Sequence, residues 1–239
     1  MTTTRIALVT GANKGIGKEI ARQLGESGLT VRLGVRSEER GRAAAAELAA
    51  GGIDARPLPL DVTDEQSVAA AAKQLEQEHG RLDVLVNNAG VLAEWSGVAS
   101  AAEFQTTFAT NVIGPATVTR AMIPLLRKGS DPRVVNLSSE LGSLALLSDP
   151  DSRQAGIPFY AYNSSKAALN VLTVMLANEL RADGIKVNSI CPGFCATDMN
   201  NHQGTLSAAD GARLAVRLAT VPADGPTGEF HGQEGPLPW

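Results

Sequence analysis

Tyrosine, histidine and cysteine are all scarce in this chain, with two, three and two residues among 239. Two cysteines, Cys191 and Cys195, are too few for a disulfide framework, and their spacing is not C-x-x-C. With no histidine beside them they read as buried free thiols, and no metal site is expected. An excess of positive charge is lacking as well. Lys and Arg total 21 against 25 Asp and Glu, a net charge of −4, and no dense basic run occurs. That excludes the usual footprint of a nucleic-acid or acidic-membrane partner. Long apolar runs are missing too: stretches such as VLVNNAGVLA are short and interrupted by amides, so no transmembrane span is expected. The opening MTTTRIALVTGANKG has no basic segment leading into an apolar one. A signal peptide is therefore not expected, and a reducing cytoplasm is the expected compartment.

What is present is a regular alternation. Hydrophobic residues make up 44% and charged residues 19%, the balance of a globular chain. Short β-branched runs at 5–10, 30–35, 55–60, 82–88, 133–139 and 185–190 read as strands. Between and after them, Ala-rich stretches with helical period are expected at 15–28, 38–50, 64–80, 101–127, 159–183 and 207–219. Asp64 and Gly80 bracket the third helix as start and stop signals. The strand runs are continuously apolar rather than alternating, which belongs to parallel strands covered on both faces. Six or seven β-α units in series predict an α/β fold: a doubly wound, Rossmann-type parallel sheet of about seven strands with helices on both faces. No internal repeat or linker interrupts it, so residues 1–239 are expected to form one domain. The Gly- and Pro-rich tail is expected to wrap a surface, with GEFHG adding a last short strand.

The segment TGANKGIG (10–17) falls where the first strand hands over to the first helix. A turn there needs residues without a β-carbon so that backbone can approach a pyrophosphate lying at the helix N-terminus. Gly11, Asn13, Lys14, Gly15, Ile16 and Gly17 are the expected nucleotide contacts. An acidic residue about 20 positions further on would accept from a ribose 2′-hydroxyl. Here the second strand ends in GVRSEERG, with Arg36 in that neighbourhood. Arg36 and Lys14 together suit a 2′-phosphate, hence NADPH or NADP+, through charge-assisted bonds. Asp61, at the close of the third strand in LDVTD, could accept from an adenine amino group, with Val62 beside it.

Both tyrosines lie within FYAYNSSK, and Tyr162 precedes Lys166 by one helical turn, which puts the two on one helix face. A lone Y-x-x-x-K is usually an ordinary helix surface. Here NNAG (87–90), NLSS (136–139), YNSSK (162–166) and CPGFCATDM (191–199) follow the glycine loop in fixed order. Over essentially its whole length the chain resembles the short-chain dehydrogenase/reductase superfamily, and within it most closely the NADPH-dependent carbonyl reductases.

The resemblance implies roles at matching positions. Tyr162 is the proton donor to a substrate carbonyl, and Lys166 binds the nicotinamide ribose and lowers the tyrosine's pKa. Ser139, rather than Ser138, holds the carbonyl oxygen, and Asn111 supports a water relay to the lysine. Asn88, Ala89 and Gly90 line the cofactor, and Pro192, Gly193 and Thr197 hold its nicotinamide end. The implied function is NADPH-dependent reduction of a small ketone or aldehyde. The alternatives are an NADP-dependent alcohol dehydrogenase running in reverse, or a non-catalytic NADP(H)-binding redox sensor. The chemistry agrees on elementary grounds, since a neighbouring cation favours phenolate and paired hydroxyls stabilise an alkoxide as it forms. Tyr160 is expected to pack, and Trp95, Leu141, Leu144, Phe194 and Met199 to line apolar walls. Phe194–Ser207 is expected to be a mobile lid. Ser139 and Tyr162 stand about ten residues further apart than is common in the superfamily, so LLSDPDSRQAGIP is expected to form a loop beside the site. That loop leaves monomer or homo-oligomer open.

Overall fold

The computed structural model describes residues 4–94 and 98–239, so the expectation for Trp95 lies outside the described residues. Its centre is a sheet of eight strands in the order β3-β2-β1-β4-β5-β6-β7-β8. The strands are β1 (Ile6–Thr10), β2 (Thr30–Val35), β3 (Ala55–Pro59), β4 (Val84–Asn87), β5 (Arg133–Leu137), β6 (Lys186–Ile190), β7 (Phe230–Gly232) and β8 (Gly235–Pro236). All pairings from β3 to β7 are parallel. The eighth strand is a two-residue antiparallel return on β7, formed by the tail. The chain runs outward from β1 through β2 and β3, then returns to build β4, β5 and β6 on the other side. The order reverses at β1/β4, and a crevice opens there beyond the carboxyl ends of the strands.

Every residue of β1, β2, β4 and β5 is buried. Successive residues serve opposite cores, as the two-residue period of a strand requires. Ala7 and Val9 join one cluster with Ile20 and Leu24 of α1 (Gly15–Glu26), Leu48 of α2 (Glu38–Ala50) and Leu214 of α8 (Ala208–Ala219). Ile6 and Leu8 join the other, with Leu75 of α3 (Glu65–His79) and Met122 of α5 (Gly114–Leu126). Each fully buried Leu or Ile contributes roughly 1.5–3 kcal/mol of transfer free energy, so covering both faces is what makes this sheet stable.

Several expected boundaries move for local reasons. Asp64 caps α3 by accepting from the Gln66 amide at 2.9 Å, and Gly80 ends it in the left-handed region at φ 69°. The expected helix 101–127 is α4 (Ala101–Phe108) and α5 joined through a π-helical turn, Ala109–Ile113. The helix expected at 159–183 is α7 (Tyr160–Glu179); the chain leaves it through turns that end at Gly184, φ 70°. The loop expected over 146–158 is partly helical. Ser143 caps α6 (Leu144–Ser148) and Ser152 caps a 3₁₀ turn, Arg153–Gly156. Serine hydroxyls accepting from amides two or three residues on make these short turns possible. Among the described residues no helix is long and apolar enough to cross a membrane.

A buried cation sits under β2. Arg32, 2% exposed, pairs with Glu78 and donates to Nε2 of His79 at 3.2 Å. A guanidinium can only donate, so this imidazole nitrogen must be unprotonated. Burial and then the Arg32 charge hold the His79 pKa below its ordinary value, despite the opposing Glu78 and Asp54 and in line with Arg56. The Gln74 and Arg32 hydrogen bonds likewise hold Glu78 low against burial. Both groups bind protons more readily in the unfolded chain, so stability falls as pH drops below about 6.5, the ordinary histidine value. Urea midpoints should therefore decrease from pH 7.5 to pH 5.5, and the decrease should shrink in His79→Gln. An equal pH dependence in the variant would remove His79 from this effect.

Candidate active site

Four connections meet at the carboxyl end of the sheet. After β1, Gly11 and Gly15 adopt φ values of 66° and 55°, which side chains resist. A Cβ on Gly17 would lie 2.3 Å from Asn88 Nδ2 and 2.6 Å from the Gly11 carbonyl, so α1 packs against the end of β4 only because that atom is missing. Asn88 Nδ2 donates to the Thr10 carbonyl at 2.8 Å. Thr10 Oγ1 accepts from the amides of both Asn88 and Ala89 at 3.0 Å. Thr10, which the sequence did not single out, thus laces the two strand ends together. Lys14 stands at the N-cap of α1 but makes no capping hydrogen bond, and the first turn of α1 has no acidic residue. Its positive end is therefore left for an anion.

Beside this turn is a cleft of about 400 Å³ lined by Asn13, Lys14, Arg40, Ala43, Ala44, Glu47 and Asp198. Arg40 was missed by the sequence reading. It lies in the first turn of α2, three residues after the N-cap Ser37, and no spacing rule in the sequence brings it to this cleft. Arg36 is exposed. Burial pushes the Asp61 carboxyl up, but the Thr63 hydroxyl and amide and the Arg36 charge together bring it below its ordinary value. Asp61 Oδ1 accepts both Thr63 bonds, at 2.7 and 3.0 Å. Val62 packs in the core on the α3–α5 face. Lys14 makes a contact not anticipated, an ion pair of 2.6 Å with Asp198 across the mouth of the cleft.

The side chains of α7 lie beside the end of β5. Tyr162 is in its first turn and half-buried; Lys166, 5% exposed, follows one turn later. Lys166 Nζ donates to the Leu137 carbonyl at 2.7 Å and lies 5.4 Å from the Tyr162 ring centre. The Ser139 hydroxyl, whose oxygen accepts from the Leu141 amide at 3.2 Å, acts on the Tyr162 phenol to draw its pKa down. Ser138 instead is buried, its hydroxyl donating to the Lys166 carbonyl at 3.4 Å, a packing contact. The expected lowering of the tyrosine pKa is not what the site does. Burial pushes the phenol well above its ordinary value, Cys191 adds to this, and Ser139 only partly opposes it. Burial also brings Lys166 down to about 8. The low-polarity surroundings penalise both charged forms, and this outweighs the attraction between them.

Gly142 holds the serine turn against the helix. A Cβ there would come within 2.6 Å of the Lys166 carbonyl carbon, and the Gly142 carbonyl accepts from Asn170 Nδ2 at 3.3 Å. Asn111 is fully buried within the π-helical turn, a feature frequent at functional sites. Its amide exchanges two 2.9 Å hydrogen bonds with the Val91 backbone and donates to Ser165 Oγ at 3.1 Å. A Cβ on Gly90 would sit 3.5 Å from Asn111 Oδ1 and 3.7 Å from Lys166 Nζ, so this bare glycine separates the two.

After β6, Gly193 takes φ 81°, and the Pro192 carbonyl accepts from Cys195 Sγ and Gln233 Nε2. Both cysteines are buried free thiols. The segment expected to be a lid is knit to itself: Ala196 donates to the Leu206 carbonyl at 2.8 Å and Leu206 to that of Phe194 at 3.0 Å. Thr197 begins its 3₁₀ turn, Asp198–Asn200. Opening this segment must break the Lys14–Asp198 pair. Leu144, Phe194 and Met199 are exposed, 68%, 56% and 38%. Tyr160 is also exposed, 45%, rather than packed, because it precedes the buried face of α7. Trp239 stacks on Phe230 at 5.6 Å, and its carbonyl accepts from the Ala145 amide, pinning α6.

A family model for short chain dehydrogenase matches residues 5–206. The chain is 36% identical to (−)-isopiperitenone reductase of Mentha piperita, with 96% of each chain covered. It is 37% identical to the NADPH carbonyl reductase 3 of Mus musculus, covering 96% of this chain and 95% of that one. Among solved structures, NADPH-bound carbonyl reductase from chicken fatty liver superposes with a TM-score of 0.87 at 27% identity, covering 99% of both chains. Salutaridine reductase from Papaver somniferum gives 0.84 at 30% identity, covering 95% of this chain and 99% of that one.

Proposed function

We propose that this chain, which belongs to the short-chain dehydrogenase family and is an oxidoreductase of that family, uses NADPH to reduce the carbonyl of a small ketone or aldehyde to an alcohol. The observation that carries this reading is the Ser139–Tyr162–Lys166 cluster, set beside the end of β5, together with the glycine turn and its adjoining cleft lined by Lys14 and Arg40. The residues fit a dinucleotide: positive-φ glycines at 11 and 15, a helix end without an acidic first turn, Lys14 and Arg40 lining the adjoining cleft, and Arg36 exposed at the end of β2 to meet a 2′-phosphate. The names of the mouse and chicken relatives, both of which include NADPH, point the same way.

NADPH, when bound, would supply hydride to the carbonyl carbon. Tyr162 gives its phenolic proton to the carbonyl oxygen, so hydride and proton together make the alcohol. Ser139 hydrogen-bonds the same oxygen and stabilises its negative charge as that charge grows. Lys166 stays charged below about pH 8 and faces the tyrosine, easing proton loss when the reaction needs it. Burial keeps the Tyr162 phenol in its acid form, the form that donates, while the ratio of reduced to oxidised cofactor sets the direction of net reaction. Leu144, Phe194 and Met199 favour an apolar substrate body.

A panel of aliphatic, aromatic and cyclic carbonyls, followed by loss of NADPH absorbance, tests the reading. Turnover of at least one carbonyl, with NADPH well ahead of NADH, is expected. Tight NADPH binding with no turnover across the panel would favour the redox-sensor reading instead.

A further inference from the structure

Helix α7 carries Tyr162 in its first turn, yet its own sequence provides no start signal. Phe159 at the N-cap makes no side-chain hydrogen bond, and the first turn holds no acidic residue. A helix start leaves its first amides without partners inside the helix. Two of these are met by a residue far away in the chain. Glu94 Oε1 accepts from the Tyr162 amide at 2.7 Å, and Glu94 Oε2 accepts from the Ala161 amide at 3.1 Å. Glu94 is 1% exposed and lies in the connection after β4, seven residues beyond Asn87.

We propose that Glu94 is a positioning residue for the reaction, setting the rotation of the first turn of α7 and so the reach of the Tyr162 phenol. The inference rests on Tyr162 acting as the proton donor. A buried carboxylate is costly unless its oxygens are hydrogen-bonded, and here both oxygens grip consecutive amides. Two bonds to neighbouring amides fix an orientation, whereas one would leave the turn free to pivot. The same contact ties the β4 connection, which carries Asn88 to Gly90, to the helix that carries Tyr162 and Lys166. Both walls of the crevice therefore share one anchor. Proton transfer needs heavy atoms within hydrogen-bond reach, and a displacement of about 1 Å can lower the rate on the order of a hundredfold.

Glu94→Ala and Glu94→Gln, made in the full chain, test this with NADPH and a carbonyl turned over by the wild type. Glu94→Ala is expected to lower kcat by about 10–100-fold while the NADPH Kd stays within about threefold, since Glu94 does not line the cleft beside the glycine turn. Glu94→Gln keeps an acceptor for the Tyr162 amide and should recover kcat to roughly two- to fivefold below wild type. A wild-type kcat in Glu94→Ala overturns the inference. So does equal impairment of both variants with NADPH binding lost in parallel, which is the pattern of a purely structural residue. Should Glu94→Ala not fold, Glu94→Gln decides, and a kcat equal to wild type overturns the inference. Tyr162→Phe run alongside separates the two claims. If its activity survives, the proton-donor reading falls and the inference with it. An inactive Tyr162→Phe beside a fully active Glu94→Ala removes the inference alone.

Discussion

Tyr162→Phe is expected to lower kcat by about 10²–10⁴-fold, the usual weight of a positioned general acid, with NADPH affinity nearly unchanged. The substitution removes only the hydroxyl, on which Ser139 acts, and keeps the ring beside Lys166. Turnover within a few-fold of wild type would remove Tyr162 from the reaction. The pH profile supplies a second measurement on the same groups. Burial keeps the phenol protonated far above neutrality, so tyrosine ionisation does not limit reduction at ordinary pH. Lys166 behaves differently. Burial brings its pKa to about 8, so the ammonium is present below that value and is lost as pH rises through it. In the reductive direction kcat/KM, which reports the free enzyme, is expected to fall across that range. A kcat/KM that climbs from pH 7 to pH 9 would contradict this.

Arg36→Asp is expected to weaken NADPH binding on the order of a hundredfold or more and to narrow or reverse the preference over NADH. Each charge-assisted hydrogen bond contributes about 1.5–3 kcal/mol, and 1.4 kcal/mol is tenfold in affinity, so losing one bond and adding a repelling carboxylate reaches that range. Arg36 is exposed at the end of β2, and Arg40 lines the adjoining cleft with Asn13 and Lys14. Arg40→Ala should therefore weaken NADPH by about tenfold and leave NADH nearly untouched, because only the 2′-phosphate separates the two cofactors. Lys14 has less to offer alone, since its ammonium is already paired with Asp198. Titration of the wild type with both cofactors is the deciding measurement. NADH binding as tight as NADPH would show that the cations at the end of β2 face solvent.

The alternation of strands and helices was legible in the residues because it rests on local physics. β1, β2, β4 and β5 are buried on both faces, and only parallel strands covered by helices need continuous apolar runs such as IALVT. Gly11 and Gly15 were legible for a similar reason: a left-handed backbone between strand and helix selects glycine within a few residues. Tyr162 and Lys166 fall on one face of one helix by spacing alone, and their order among the other motifs linked them to Ser139 and Asn111.

Other features depended on contacts between residues distant in sequence, which no local pattern records. Glu94 reaches the start of α7 across 68 residues, Lys14 meets Asp198 across 184, and Gly142 is required only because the backbone of Lys166 lies against it. Arg40 joins the cleft because helical geometry brings it back toward Asn13. The direction of the tyrosine pKa was decided in the same way. Spacing placed a cation next to a phenol, which by itself argues for a lowered value. Tertiary packing then enclosed both groups, and desolvation, a property of everything around them, outweighed the pairwise attraction that the sequence could express.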